Sequence, residues 1–231
     1  MSAALWLRDS KFPSPGGVAV LSPWLDTQNS LPYFMLNGPY DYLPKPSVGR
    51  KGIYDWYASE HRTNPLASPI MARPIPHHPL TPVSIYMGDA ERLMDASLLE
   101  SILFKKEVQV NLFEDAPHVS PAFASLHEFS NYQLQMMGQW IQQTVSLDKN
   151  SFNQKVQETG VFWIRKNKEC IPVPKPLDVI WQGRNELIKS GKWTEKKESI
   201  FLGLLKHHLT SLDSEDQKRV KELLLNEVKQ R

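Results

Sequence analysis

The chain has 231 residues, 41% of them hydrophobic, with a formal charge of +2 and an isoelectric point near 8.5. This is a globular composition, too apolar for a disordered chain and too weakly basic to argue for a nucleic-acid partner. One cysteine, Cys170, excludes an internal disulfide framework, and no apolar run approaches the ~20 residues needed to span a bilayer.

In chain order, Met1 to Leu7 reads as helix from its first residue, with no cap or lead-in strand, as if a domain were entered partway. It is no secretory signal, because a basic n-region is absent and Arg8-Asp9 follows too soon. Val18-Ala19-Val20-Leu21-Ser22, ended by Pro23, is a continuous apolar run of the kind that forms a strand buried on both faces. The Pro-rich interval from 27 to 80 is read as loop around a short helix near Ile53 to Glu60. Val83-Ser84-Ile85-Tyr86-Met87, closed by Gly88, is a second strand. Asp95 to Lys106 follows as helix, with Leu98, Leu99, Ile102 and Leu103 on one face and Asp95 placed to cap it. Val108 to Phe113 is a third strand, and Ala124 to Val145 a long helix expected to bury Leu126, Met137, Trp140 and Ile141. Strand, helix, strand, helix predicts an α/β fold with parallel strands and crossover helices.

A boundary is expected near Ser146. Residues 1–145 hold 15 of the 18 prolines and are net acidic, whereas 146–231 are net basic. The second part is read as a mainly helical extension: Pro172 to Pro176 is an extended spacer, and Phe201 to Leu212 and Ser214 to Lys229 are amphipathic helices. Ser214 with Gln217 fits a capping box.

The chemistry concentrates after the second and third strands, where Gly88-Asp89-Ala90-Glu91 and Asp115-Ala116-Pro117-His118 lie. Strand carboxyl ends are where α/β folds gather reactive side chains. An acid after one strand and a His after the next is the back half of a nucleophile–His–acid triad. Of the seven His residues only His118 has this setting. His77-His78 and His207-His208 are adjacent pairs, which point apart on regular structure and make poor metal sites. Cys170 lacks the context of a nucleophile. Three carboxylates compete as the acid. Asp95 reads as a helix cap and Asp89 as a turn residue, while Glu91, with no local structural duty, is favoured and Asp89 stays the alternative. Asp26, past the first strand, reads as a loop-fixing acceptor. No Gly-x-Ser-x-Gly occurs in the 231 residues, so the chain shows no nucleophile.

Gly17-Val-Ala-Val-Leu-Ser-Pro-Trp-Leu-Asp26, Asn64-Pro-Leu-Ala-Ser-Pro69, Gly88-Asp-Ala-Glu-Arg-Leu-Met-Asp95 and Asp115-Ala-Pro-His-Val119 occur in that order. Together they resemble the hormone-sensitive-lipase-type branch of the α/β-hydrolase fold, a family of carboxylesterases and lipases. The finer flavour is that of fungal members that include steryl acetyl hydrolases. The resemblance covers residues 1 to about 145 and implies Glu91 as triad acid and His118 as triad base. It also implies that the oxyanion loop and the Gly-Asp-Ser-Ala-Gly nucleophile elbow would lie before Met1, as would a strand neighbouring Val18 to Ser22.

The expectation is therefore the carboxyl-terminal portion of an ester hydrolase, inactive alone, poorly soluble or dependent on a protein partner. Its substrates would be small apolar esters, with no cofactor and no metal. The alternative is a non-catalytic interaction protein built from a hydrolase remnant. No leader is readable, so a cytoplasmic location is the default. The resemblance adds association with the endoplasmic reticulum membrane only through an anchor upstream.

Overall fold

A computed structural model describes residues 1–43, 59–146 and 160–229. Five strands form one sheet in the order β1-β2-β3-β4-β5. They are β1 (Val18–Leu21), β2 (Val83–Gly88), β3 (Val108–Phe113), β4 (Val161–Ile164) and β5 (Cys170–Val173). β1 to β4 are parallel and β5 returns antiparallel to β4. The parallel core agrees with the sequence pattern; β4 and β5, from the part read as helical extension, extend it. Their four-residue length and Pro172 hide them from any periodicity, and Pro172 is tolerated because β5 is an edge strand.

Seven α-helices are described: α1 (Ser2–Asp9), α2 (Tyr33–Leu36), α3 (Met94–Leu103), α4 (Glu128–Ser146), α5 (Pro176–Lys189), α6 (Glu195–His207) and α7 (Ser214–Lys229). The two central strands are apolar on both faces, and alternate residues serve two cores. Val83, Ile85 and Met87 of β2 and Val108, Val110 and Leu112 of β3 face the larger core, which takes in Leu5, Leu98 and Leu99 and the tail's Ile180, Trp181, Phe201 and Leu205. Tyr86 and Phe113 face the smaller one, closed by Phe129 and by Tyr132, Met137 and Trp140 of α4. Asn111 is buried between the strands, and its Nδ2 donates to Ser84 Oγ at 3.2 Å and to the Ile85 carbonyl at 3.1 Å.

Several local expectations change. α4 begins at Glu128, so Leu126 lies ahead of it and is 82% exposed; Ile141 is also exposed, while Met137 and Trp140 pack inward. Ser214 is not the cap of α7: Asp213 Oδ1 accepts the Asp216 N–H at 2.9 Å, and Gln217 reaches the Leu212 carbonyl. The helix expected at Ile53 to Glu60 lies mostly outside the described residues, of which Ser59–His61 form a 3₁₀ turn. Among the described residues no helix is long and apolar enough to cross a membrane.

Candidate functional site

β2 and β3 run side by side in register to Gly88 opposite Phe113, and Leu21 of β1 lies opposite Tyr86. Three strands thus release their chains at one end of the sheet, and the turns that follow carry Ser22, Glu91 and His118.

Glu91 is fully buried. Its Oε2 accepts a hydrogen bond from His118 Nδ1 at 2.8 Å. Its Oε1 accepts the Gly88 N–H at 2.6 Å and the Ser22 hydroxyl at 2.7 Å. Burial pushes the Glu91 pKa above the ordinary carboxylate value, and the bonds from His118, Gly88 and Ser22 act against that rise. The turn bearing Glu91 is fixed from behind by Asn37, just past α2. Its Nδ2 donates to the carbonyls of Asp89 at 2.8 Å and Glu91 at 2.9 Å.

The His118 side chain is 15% exposed. A carboxylate only accepts, so Nδ1 carries a proton, and in the neutral form of the ring the lone pair lies on Nε2. Nε2 has no hydrogen-bond partner among the described residues. The Tyr42 hydroxyl donates to the His118 carbonyl, and the two rings meet edge to face with centroids 6.0 Å apart. On either side of His118 the backbone is left-handed, at Asp115 (φ 51°) and Val119 (φ 52°). For a β-branched residue such as Val119 this region is strained and persists only where the surroundings impose it.

The other candidates take different places. Asp89 makes no hydrogen bond to His118; its carboxylate accepts the Asp115 N–H at 2.8 Å and the Trp163 indole N–H at 3.0 Å. Burial pushes its pKa to about 6, against those two bonds. Asp95 is no helix cap: it lies inside the first turn of α3, fully buried, and its Oδ2 accepts the Tyr33 N–H at 2.7 Å. Asp26 fixes its loop, accepting from Gln28 N, Ser30 N and Ser30 Oγ at 2.6–2.9 Å. His207 and His208 hold the 69–73 turn, their Nε2 atoms donating to the carbonyls of Met71 and Ile70. Among the described residues no group of three or more His, Cys, Asp or Glu side chains is placed to hold a metal ion.

Sequence reasoning misses Ser22, Asn37, Tyr42 and Trp163. Ser22 has a usable signal, since it follows a strand as Glu91 and His118 do. Chemically, the arrangement is an imidazole whose Nδ1 is anchored by a buried carboxylate and whose Nε2, in the neutral form of the ring, accepts a proton, the carboxylate then stabilising the imidazolium.

Solved structures share this architecture. An esterase of the bacterial hormone-sensitive lipase family aligns with 24% identity over 63% of this chain and 49% of its own, with a TM-score of 0.56. EstE5, in a crystal soaked with ethyl alcohol, aligns with 23% identity over 63% and 49%, with a TM-score of 0.55. The hormone-sensitive-lipase homologue EstE7, from a metagenome library, aligns with 22% identity over 63% and 50%, with a TM-score of 0.54. The fold is thus similar to part of the α/β-hydrolase architecture of these structures, and the chain spans about half their length. Comparison with protein-family models and with curated proteins gives no match.

Proposed function

We propose that this chain carries the acid and base of a carboxylic ester hydrolase, with Glu91 orienting His118 and a serine supplied from outside these 231 residues. The observation that carries the reading is the 2.8 Å bond between His118 Nδ1 and Glu91 Oε2 at the carboxyl ends of adjacent parallel strands. The likeness to esterase structures supports it. In the reaction His118 Nε2 takes the proton of the attacking serine hydroxyl and later returns it to the leaving alcohol. Glu91 keeps the ring in the tautomer that can do so. Water then releases the acid. The substrates are apolar acyl or steryl esters, on the strength of the sequence motifs.

The chain alone is expected to be inactive. Loss of one triad member costs on the order of 10⁴ to 10⁶ in turnover. A hydrolase-derived interaction protein is the second reading, favoured by β1, which pairs only with β2 among the described residues and offers an open edge.

A fluorophosphonate probe tests the two together. The 231-residue chain is treated with it, as is the endogenous species recognised by an antibody to residues 189–198. The hydrolase reading expects no labelling of the chain alone, labelling of the endogenous species, and loss of labelling when His118→Ala replaces it. An endogenous species of 26.5 kDa that resists labelling favours the interaction protein instead.

A further inference from the structure

Ser22 ends β1 in an unusual way. Its N–H still completes the parallel ladder, donating to the Tyr86 carbonyl at 2.9 Å, yet its φ is already +42°. Non-glycine residues seldom adopt positive φ, and Pro23 restricts its predecessor further toward extended backbone. Such a conformation persists only where neighbours over-determine it. Here it places the hydroxyl between the turns that follow the two adjacent strands. Ser22 Oγ donates to Glu91 Oε1 at 2.7 Å and accepts the Val119 N–H at 2.9 Å. One buried hydroxyl therefore joins residues 69 and 97 positions away in sequence.

Both of its partners bear on the His118–Glu91 pair. Glu91 uses Oε1 toward Ser22 and Gly88 and Oε2 toward His118, so the Ser22 bond helps set the plane in which Oε2 meets the ring. Val119 follows His118 directly and is itself left-handed, and its N–H is held by Ser22 Oγ. Two strained residues thus face each other across one hydrogen bond. Without it the His118 turn can relax toward ordinary φ, carrying the imidazole off the carboxylate.

We propose that Ser22 is a positioning residue that aligns His118 with Glu91, clamping the acid and the base-bearing turn to the end of β1. The inference rests on the reading of His118 and Glu91 as an acid–base pair and names the group that holds them together. Ser22 takes no part in proton transfer, since its hydroxyl contacts the carboxylate oxygen opposite the one bonded to His118.

The test is proton NMR of the full chain, following the far-downfield resonance of a carboxylate-bonded histidine Nδ1 proton, assigned by its disappearance in His118→Ala. Two substitutions at position 22 separate alignment from stability. Ser22→Ala removes the hydroxyl and keeps a side chain in the strained conformation, whereas Ser22→Gly removes it and relieves the strain, glycine adopting positive φ freely. The expected result is loss of the resonance in both, with Ser22→Gly the more stable of the two. Ser101→Ala, which removes a buried hydroxyl bonded to the Leu98 carbonyl far from the site, should leave it in place. Persistence of the resonance in a folded Ser22→Gly chain overturns the proposal, because the hydroxyl is then dispensable for the pairing. Its absence from the unaltered chain overturns the His118–Glu91 pair itself, and the clamp with it.

Discussion

The carbonyl oxygen of Ala116 lies 1.7 Å from the point where a β-carbon on Gly88 would stand. The last residue of β2 and the turn that precedes His118 are pressed backbone to backbone. Gly88 is required there by this close approach, not by a positive φ. The same residue gives its N–H to Glu91, so the packing of strand against turn and the seating of the acid share one position.

Gly88→Ala should therefore damage site and fold together. The added methyl meets rigid backbone, so residues 115–118 must move as a unit. Destabilisation of about 3 kcal/mol is expected, the upper end for overpacking. Urea unfolding of the two proteins measures it, and a change below about 0.5 kcal/mol, the range of indifferent surface substitutions, would show that the turn adapts freely.

Trp181 tests how far residues beyond 146 belong to the same cooperative unit. It is 1% exposed, lies edge to face with Phe201 at 5.1 Å between ring centroids, and has the Arg219 guanidinium 4.4 Å above its ring. α5 packs against α3, which itself lies on β2 and β3. Trp181→Ala should cost about 3–5 kcal/mol and shift one common transition. Trp181→Phe should be far milder, since the indole N–H is buried without a partner among the described residues and its removal costs none of their hydrogen bonds. Two separate transitions, with that of the sheet unmoved, would mean that the tail folds on its own.

Much of the architecture is legible in the sequence because the central strands carry a strong signal. Val83 to Met87 is apolar almost without interruption, as a strand buried on both faces needs. β4 and β5 are not legible, because four residues give too little pattern and Pro172 argues against a strand unless an edge is already known. The cap of α7 is displaced by one residue because Asp213 and Ser214 both have capping side chains and only geometry chooses between them. In the site, His118 and Glu91 can be picked out because strand ends are marked locally. Ser22 to Val119, Asp89 to Trp163 and Asn37 to Glu91 are bonds across 97, 74 and 54 residues, which no local pattern encodes. Asp95 misleads for a related reason: besides amides of its own first turn, its carboxylate accepts the N–H of Tyr33, 62 residues earlier.

Asp95 also makes stability depend on pH. Burial pushes its pKa from 3.8 to about 8, opposed by the Tyr33 N–H bond and reinforced by Asp26. The folded chain thus holds a proton that the unfolded chain releases near pH 4. Between those values the native state binds more protons, so stability falls as pH rises and the contribution is gone above about pH 8. Asp95→Asn keeps an acceptor for Tyr33 and cannot ionise. Its advantage over the unaltered chain should grow from pH 4 to pH 8, reaching several kcal/mol at ~1.4 kcal/mol for each pH unit between the two pKa values. Urea midpoints that differ by a constant amount across that range would rule this out.

His208 works in the opposite direction over part of the same range. Burial, with His207 and Arg73 nearby, pushes its pKa from 6.5 to about 4 against the bond to the Ile70 carbonyl. Its Nδ1 is buried with no partner among the described residues, so protonation would create a charged donor that none of them receives. The folded state therefore favours the neutral ring. Its contribution is fully present above pH 6.5 and is lost as pH falls through 4. His208→Gln, which can still donate to the Ile70 carbonyl, removes the titration. Relative to it, the unaltered chain should lose about 3 kcal/mol between pH 7 and pH 4, at ~1.4 kcal/mol for each pH unit separating the folded and unfolded pKa values. Because Asp95 stabilises toward acid while His208 destabilises, the unaltered chain can look flat below pH 6.5. The paired substitutions expose the cancellation, through urea midpoints measured at pH 4, 5.5 and 7. A His208→Gln difference that does not change sign or size across the three would mean that the imidazole is neutral in both states or reaches solvent when it charges.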